Sequence, residues 1–215
     1  MTRVATTFAI ATLFAAQMTQ GQGTLYVSNL GQGAIGSPAI GSDKWEAQFI
    51  ETGNNSGGYL LNSIQLLMNA SSGSPSGFTV SIYSDVNNTP SSDLENLSGS
   101  SNPSSGGLYT YTASGLLLSP STQYFIVAIG ATSMAQGAYT WDNTFGSPAG
   151  INQWAIQEGI YSLDNGLDWT VYGRNITFQS AIYATAVPEP STWVLGLLGG
   201  GFAFYLHARK QPKQA

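Results

Sequence analysis

Cysteine is absent from the 215-residue chain, and its single histidine, His207, lies close to the C-terminus. Without cysteine the chain has no disulfide framework, thiolate nucleophile or cysteine-ligated zinc site. Because no histidine precedes residue 207, Ser-His-Asp and Cys-His catalytic sets and histidine-ligated catalytic metals are excluded from the rest of the chain. The sequence therefore predicts a protein that is not an enzyme and that uses no cofactor.

Charge is also scarce, since only 8% of the residues are charged. Between residues 24 and 186 only Lys44 and Arg174 are basic, against ten carboxylates, which leaves a net charge of minus eight. An acidic surface repels phosphate backbones, and nucleic-acid binding depends on clustered lysines and arginines. Nucleic acid is therefore excluded as a partner. The abundance of Gly, Ser, Thr and Asn, with 12% aromatic residues, is typical of an extracellular β-protein.

The middle of the chain lacks any convincing helical pattern, and short segments rich in Val, Ile, Thr, Tyr and Phe alternate with turn residues. Residues 78–84 and 175–183 show a period of two, which predicts strands with one buried face. Residues 124–129 are apolar on both parities, which predicts a central strand covered on both faces. The predicted fold class is all-β, a single antiparallel β-sandwich of jelly-roll-like form over residues 24–186.

Three further groups of segments between residues 24 and 186 are assigned to strands or loops. Residues 60–68 also fit a helical period, but the glycines before them and a predicted loop at 69–77 favour a strand. Residues 87–106, rich in serine and asparagine, are predicted to form a mobile surface loop. Further strands are predicted at 25–30, 45–50, 107–112, 138–141 and 152–156.

The N-terminal segment has the order of a secretory signal peptide. Arg3 is followed by an apolar run at 8–16 and then by small and polar residues up to Gly23. The run is too short to span a bilayer as a mature helix. Residues 1–23 are therefore predicted to be a cleaved signal peptide, with a buried first helix as the alternative.

The C-terminal segment, residues 187–215, is more specific. Pro188-Glu189-Pro190 precedes an apolar run at 194–206, and a basic end with Arg209 and Lys210 follows. The prolines favour an extended arm, and terminal cations suit the cytoplasmic side of a membrane. The apolar run is short for a bilayer span, so a short helix packed on the domain is the alternative.

This tripartite order resembles the PEP-CTERM sorting signal of Gram-negative bacteria. The resemblance implies export, temporary tethering in the inner membrane through a C-terminal hydrophobic helix, and cleavage near the Pro-Glu-Pro motif by an exosortase. Exosortase and the membrane are therefore the expected partners of the tail. The mature protein is expected at the cell surface or in the extracellular matrix.

A looser set of positions in the middle of the chain is similar to the choice-of-anchor R domain of bacterial surface proteins. The resemblance implies a β-rich extracellular module and offers no catalytic residues. It is carried by the segments 80–85, 109–111 and 115–124 together with Pro90, Leu94 and Leu97.

Tryptophans beside polar residues form the most site-like pattern. Trp141 precedes Asp142 and Asn143, and Trp169 follows an aspartate. Aromatic rings stack on sugar rings while neighbouring amides and carboxylates bind hydroxyls, so these four residues are candidate glycan contacts. The alternative is that the tryptophans fill the sandwich core, where they bury a large area.

Carboxylates offer two weaker hypotheses. Asp164 and Asp168 surround a turn and are candidate Ca²⁺ ligands, although an ordinary β-turn is the stronger interpretation. A pair of acids about 5 to 10 Å apart would suit glycoside hydrolysis, although solvated surface acids are the stronger interpretation. The acids considered for such a pair are Glu46, Glu51, Asp142 and Glu158.

Targeting and the missing catalytic groups together predict a non-catalytic secreted or cell-surface protein. Its expected role is structural or adhesive, in the envelope or in an exopolysaccharide and biofilm matrix, with polysaccharide as a further candidate partner. A dedicated carbohydrate-binding module is the alternative, and a carboxylate-only glycosidase ranks last.

Overall fold

The computed structural model describes residues 23–173 and 175–189. Within these residues the chain forms fifteen β-strands and one 3-10 turn at Ile151–Gln153. The strands in chain order are β1 (Thr24–Ser28), β2 (Ala39–Ile40), β3 (Trp45–Glu51), β4 (Tyr59–Gly73), β5 (Thr79–Val86), β6 (Thr89–Asn96), β7 (Gly107–Thr112), β8 (Leu117–Leu118), β9 (Gln123–Ile129), β10 (Gly137–Trp141), β11 (Asn143–Phe145), β12 (Ala155–Ser162), β13 (Thr170–Val171), β14 (Ile176–Phe178) and β15 (Ser180–Ala186).

The strands form two large sheets and one small one. The first sheet has seven strands, with the order β1-β15-β4-β10-β2 and with β7 and β8 also paired to β4. The second has six strands in the order β13-β12-β3-β9-β5-β6, and β11 pairs separately with β14. All of the ladders are antiparallel. The predicted all-β, antiparallel fold is confirmed.

Strand β4 is the longest element, and four other strands pair with it. Its first half pairs with β15 and its second half with β10, while β8 and β7 pair along its length as well. The predicted strand at 60–68 is therefore correct. The loop predicted at 69–77 is wrong as far as Gly73, because pairing with β10 extends the strand through Met68–Gly73.

The main core lies between the two large sheets. The first sheet contributes Leu61, Ile64 and Leu66 of β4, with an irregularity in the pairing of β4 with β15 between Leu61 and Ser63, and the second contributes Val80 and Ile126. All five side chains are almost completely buried. The alternation of β5 predicted from the sequence is confirmed, since successive apolar positions enter this core.

Strands β3 and β9 are buried on both faces. Each has five successive buried residues, as predicted for a central strand at 124–129. Ile50 and Ile126 point into the main core, and the alternate residues point away from it. On that outer face Phe49 lies directly opposite Phe125, with the rings stacked at a centroid distance of 4.9 Å.

Part of the predicted loop at 87–106 is a strand. β5 and β6 form a hairpin in which Val86 pairs with Thr89 across Asn87 and Asn88. Both asparagines have positive φ, 56° and 61°, which is the conformation of a two-residue hairpin turn. Pro90 is tolerated because β6 is an edge strand, where its missing N–H is not needed.

The predicted single strand at 175–183 is two strands that meet at Gln179. The Gln179 backbone N–H donates to the Asp142 carbonyl at 2.8 Å, and its carbonyl accepts from the Leu67 N–H at 3.1 Å. These bonds join β14 to the small sheet and β15 to the first sheet. The strand predicted at 152–156 also begins later, at Ala155, after the 3-10 turn.

Most of the two predicted processing segments lies outside the described residues, which include only Gly23 of the first and residues 187–189 of the second. This applies to the signal peptide up to residue 22, to the predicted C-terminal helix, and to Pro190, Arg209 and Lys210. Within the described ranges no helix has the length and apolar character needed to cross a bilayer.

The structure predicts different costs for removing two tryptophans. Trp141 is fully buried and stacks on Phe178 at a centroid distance of 4.6 Å. Trp141→Ala should lower the free energy of unfolding by about 3–5 kcal/mol, because it leaves a large cavity. Trp169→Ala is the matched control, with a smaller expected loss because Trp169 is only half-buried. Equal losses in urea denaturation would contradict this placement.

Candidate functional site

A groove of about 350 Å³ lies on the outer face of the six-stranded sheet. Its floor is formed by Phe49, Phe125 and Ile160, which are buried among the outward side chains of that sheet. Polar side chains and one exposed valine surround this apolar floor. The remaining lining residues are Asn88, Gln123, Gln157, Glu158 and Val171.

Strand register brings these distant residues together. Pairing of β3 with β9 places the two phenylalanines side by side, and Val171 of β13 pairs with Ile160 of β12. The register of β12 against β3 shifts between Ile156 and Gly159. Such an irregularity breaks the strict alternation of faces, which explains how neighbours Gln157 and Glu158 both line the groove.

Polar side chains surround the floor of the groove, and none of the described residues that line it is basic. The Gln157 side-chain amide donates to the Glu51 carboxylate at 2.9 Å, which orients the amide beside the groove. Lys44 is the only basic residue in the described part of the chain, and it is paired with Glu46. Amides and a carboxylate around an apolar floor suit a ligand rich in hydroxyl groups rather than an anion.

The predicted glycan contacts Trp141, Asp142 and Asn143 lie elsewhere. Trp141 has no exposed surface and donates its indole N–H to the Gln179 carbonyl at 2.9 Å. Asn143 is buried in the pairing of β11 with β14, and the Asp142 carboxylate accepts a hydrogen bond from the Ser37 hydroxyl. Trp141 therefore offers no surface for stacking on a sugar ring, and Asn143 is only 6% exposed.

Trp169 belongs to a different part of the molecule from Trp141. It packs with Trp45 against the outward cluster of the six-stranded sheet, whereas Trp141 is in the main core. Its indole N–H donates to the Gly166 carbonyl at 3.1 Å. The four predicted contacts therefore do not form one site, and Trp169 is not among the residues that line the groove.

Asp164 stabilises its own turn. Its Oδ1 accepts hydrogen bonds from the Ser162 hydroxyl at 2.7 Å and from the backbone N–H groups of Leu167 and Asp168 at 3.1 and 2.9 Å. These bonds, led by the one from Asp168, lower the pKa of Asp164. Within residues 23–173 and 175–189 no three acidic or histidine residues are grouped to hold a metal. The contacts of Asp164 are those of a turn cap.

The four acids considered for catalysis are also dispersed. Glu158 lines the groove, and Glu51 lies beside it. Asp142 is hydrogen-bonded to Ser37 near the small sheet. Glu46 is inside the protein with no exposed surface. Sequence reasoning treated Glu46 as a surface acid and missed its burial.

Glu46 forms a buried polar network. Its Oε1 accepts from the Lys44 ammonium at 2.8 Å and from the Tyr172 hydroxyl at 2.6 Å. The Lys44 ammonium also lies 5.2 and 5.4 Å from the ring centroids of Tyr161 and Tyr172. Burial raises the pKa of Glu46 to about 7, against the opposing effects of Lys44 and Tyr172. The sequence signal was the i, i+2 spacing of Lys44 and Glu46, which places two residues on one side of a strand.

Comparison with known proteins identifies the C-terminal segment. The PEP-CTERM protein-sorting motif matches residues 186–211, which begin at the last residue of β15. Searches of curated proteins and of solved structures find no match. The sorting motif supports a secreted protein that is processed by an exosortase, through a membrane-associated intermediate. The resemblance of the middle domain to the choice-of-anchor R domain is not confirmed.

The raised pKa of Glu46 predicts a pH-dependent stability. Between pH 4.5 and 7 the folded protein keeps a proton on Glu46 that the unfolded chain has lost, so the free energy of unfolding falls as the pH rises. The fall from this group should be about 3 kcal/mol. Urea denaturation at pH 5 and pH 7.5 measures it.

Glu46→Gln should remove most of this pH dependence, because glutamine does not titrate. The exposed substitution Asp168→Asn is the control and should leave the dependence unchanged. An equally steep dependence in the Glu46→Gln variant would show that other groups cause it.

Proposed function

We propose that the protein is a non-catalytic surface module, which exosortase sorting delivers to the cell surface or to an extracellular polysaccharide matrix. Its role there is structural or adhesive. The observation that carries the proposal is the sorting motif at 186–211, which follows the last strand directly. The domain is thus the cargo of the sorting signal, and its tail is the temporary membrane anchor.

Polysaccharide binding is the second candidate function, and the groove on the six-stranded sheet favours it. The apolar floor offers a surface for the C–H faces of a sugar, and the surrounding amides and carboxylate offer partners for its hydroxyl groups. None of the described residues that line the groove is basic, and Glu158 is acidic, which favours neutral sugars over uronic acids. Such binding would retain the cleaved protein in the matrix.

The groove supports binding rather than hydrolysis. Glycoside hydrolysis commonly requires two carboxyl groups that flank the scissile bond. Glu158 is the one carboxylate among the described residues that line the groove, and the nearby Glu51 is engaged by the Gln157 amide.

Sorting predicts two cleavages in the native host. Intact mass spectrometry of the protein from envelope and medium should show loss of about the first 20 residues, as for a signal peptide, and of everything beyond the Pro-Glu-Pro motif. A strain without the exosortase should retain the C-terminal segment. An intact C-terminus in both strains would contradict sorting and leave a membrane-tethered β-domain.

Polysaccharide binding predicts a loss of affinity when the polar groups of the groove are removed. The double variant Gln123→Ala, Glu158→Ala should weaken binding about tenfold or more, since each hydrogen bond contributes about 1 kcal/mol. Affinity electrophoresis in the host's exopolysaccharide and in neutral and acidic polysaccharides measures the effect. Gln65→Ala is the control, because Gln65 lies on the other sheet and bonds Thr110. Equal retardation of all three proteins would exclude the groove.

A further inference from the structure

The chain enters and leaves the domain at one end of the sandwich. Thr24, at the start of β1, pairs with Ala184, close to the end of β15 at Ala186. The strands β1 and β15 are antiparallel neighbours, so the predicted signal peptide and the sorting tail adjoin the same end of the protein. The turn that joins β3 to β4 lies at this end, because Tyr59 pairs with Ala186.

Residues 53–58 of this turn, which we name the clasp, hold the first residue after β15. The Val187 N–H donates to the Gly58 carbonyl at 3.0 Å. The Asn55 side-chain amide donates to the Val187 carbonyl at 2.9 Å and to the Gly58 carbonyl at 2.7 Å. Both backbone groups of Val187 are therefore bound, directly before the Pro-Glu-Pro motif begins.

Gly57 leaves the space in which the backbone of Val187 and Pro188 lies. A Cβ atom at this position would lie 2.4 Å from the Val187 carbonyl oxygen and 3.3 Å from that of Pro188. Real Cβ atoms do not approach an oxygen as closely as 2.4 Å, so a side chain at Gly57 would push the tail away from the clasp. The close approach of two backbones is the reason why glycine is required here.

The clasp is attached to the core and does not behave as an independent loop. The Asn55 backbone N–H donates to the Tyr59 hydroxyl at 3.1 Å. Tyr59 is fully buried, with its ring edge-on to Tyr26 and Trp154 at centroid distances of 5.0 and 5.1 Å. The Gly53 carbonyl accepts from the Ser121 N–H at 2.7 Å, which joins the clasp to the loop before β9.

This arrangement leaves no linker between the folded domain and the sorting motif. Six residues lie between Val187 and the apolar run that begins at Val194, and the seven steps between these two positions span at most about 25 Å in an extended chain. We propose that the clasp is a positioning element for sorting, which fixes the place and direction in which the Pro-Glu-Pro motif is presented to the membrane-bound exosortase. The inference rests on the proposed sorting of the tail.

The test follows tail protection and processing in the full-length chain. Hydrogen exchange is measured on protein from a strain without exosortase, and the processed fraction is measured by intact mass in the normal host. Asn55→Ala and Gly57→Ala should each speed exchange of the Val187 amide at least tenfold and lower the processed fraction at least threefold. The matched controls Asn96→Ala and Gly33→Ala should behave as the wild type, since Asn96 is exposed on the edge strand β6 and Gly33 has open space around it.

A third variant separates positioning from stability of the domain. Insertion of Gly-Ser-Gly-Ser between Val187 and Pro188 leaves the clasp intact but frees the motif from it. Exchange at Val187 should stay slow, while processing should fall or spread over several cleavage positions. This variant decides the question if the clasp substitutions prevent folding.

Two results would overturn the inference while sorting itself stands. One is faster exchange in the clasp variants with wild-type processing, and the other is wild-type processing of the insertion variant. An unprocessed wild-type protein in the normal host would instead refute the sorting proposal, and the inference with it.

Discussion

The pairing of β3 with β9 is the interaction on which the rest of the structure depends. Both strands are buried on both faces, so each contributes to two separate apolar clusters. Ile50 and Ile126 face the seven-stranded sheet and form the sandwich core. Phe49 and Phe125 face outward and form the floor of the groove. The strands that hold the sandwich together thus also carry the floor of the groove.

Side-chain amides take the place of ions in connecting the sheets. Lys44–Glu46 is the only salt bridge among the described residues. Gln48 donates to the Gln157 carbonyl at 2.7 Å and accepts from the Phe178 N–H at 2.5 Å, which joins the six-stranded sheet to β14. Asn29 donates to the Phe178 carbonyl at 3.0 Å. Buried polar groups are stable when they are paired, so a chain poor in charge can still build a specific interior.

Local sequence patterns predicted a strand correctly where the patterned segment forms a single strand with the same neighbours along its length. The alternation in 78–84 and the continuous apolar run in 124–129 correctly predicted a half-buried and a fully buried strand. The break at Gln179 was not visible, because the period of two continues across it while the backbone changes partners. The β5–β6 hairpin was not predicted, because the serine- and asparagine-rich composition of this segment is typical of a loop, although adjacent asparagines such as Asn87 and Asn88 also suit a two-residue turn.

The sequence by itself determined the all-β class, the acidic and ion-poor character of the domain, and the sorting tail, because alternation, composition and a contiguous motif are local properties. The tertiary structure decided which residues that are distant in the sequence are in contact. Strand order and register bring Phe49 against Phe125 and place Asn55 within hydrogen-bond distance of Val187, although each pair is far apart in the chain. Burial is decided in the same way. Trp141 is interior because it packs in the main core, and Glu46 because Tyr172, which is distant in the chain, lies against it. No neighbouring residue in the sequence indicates either burial.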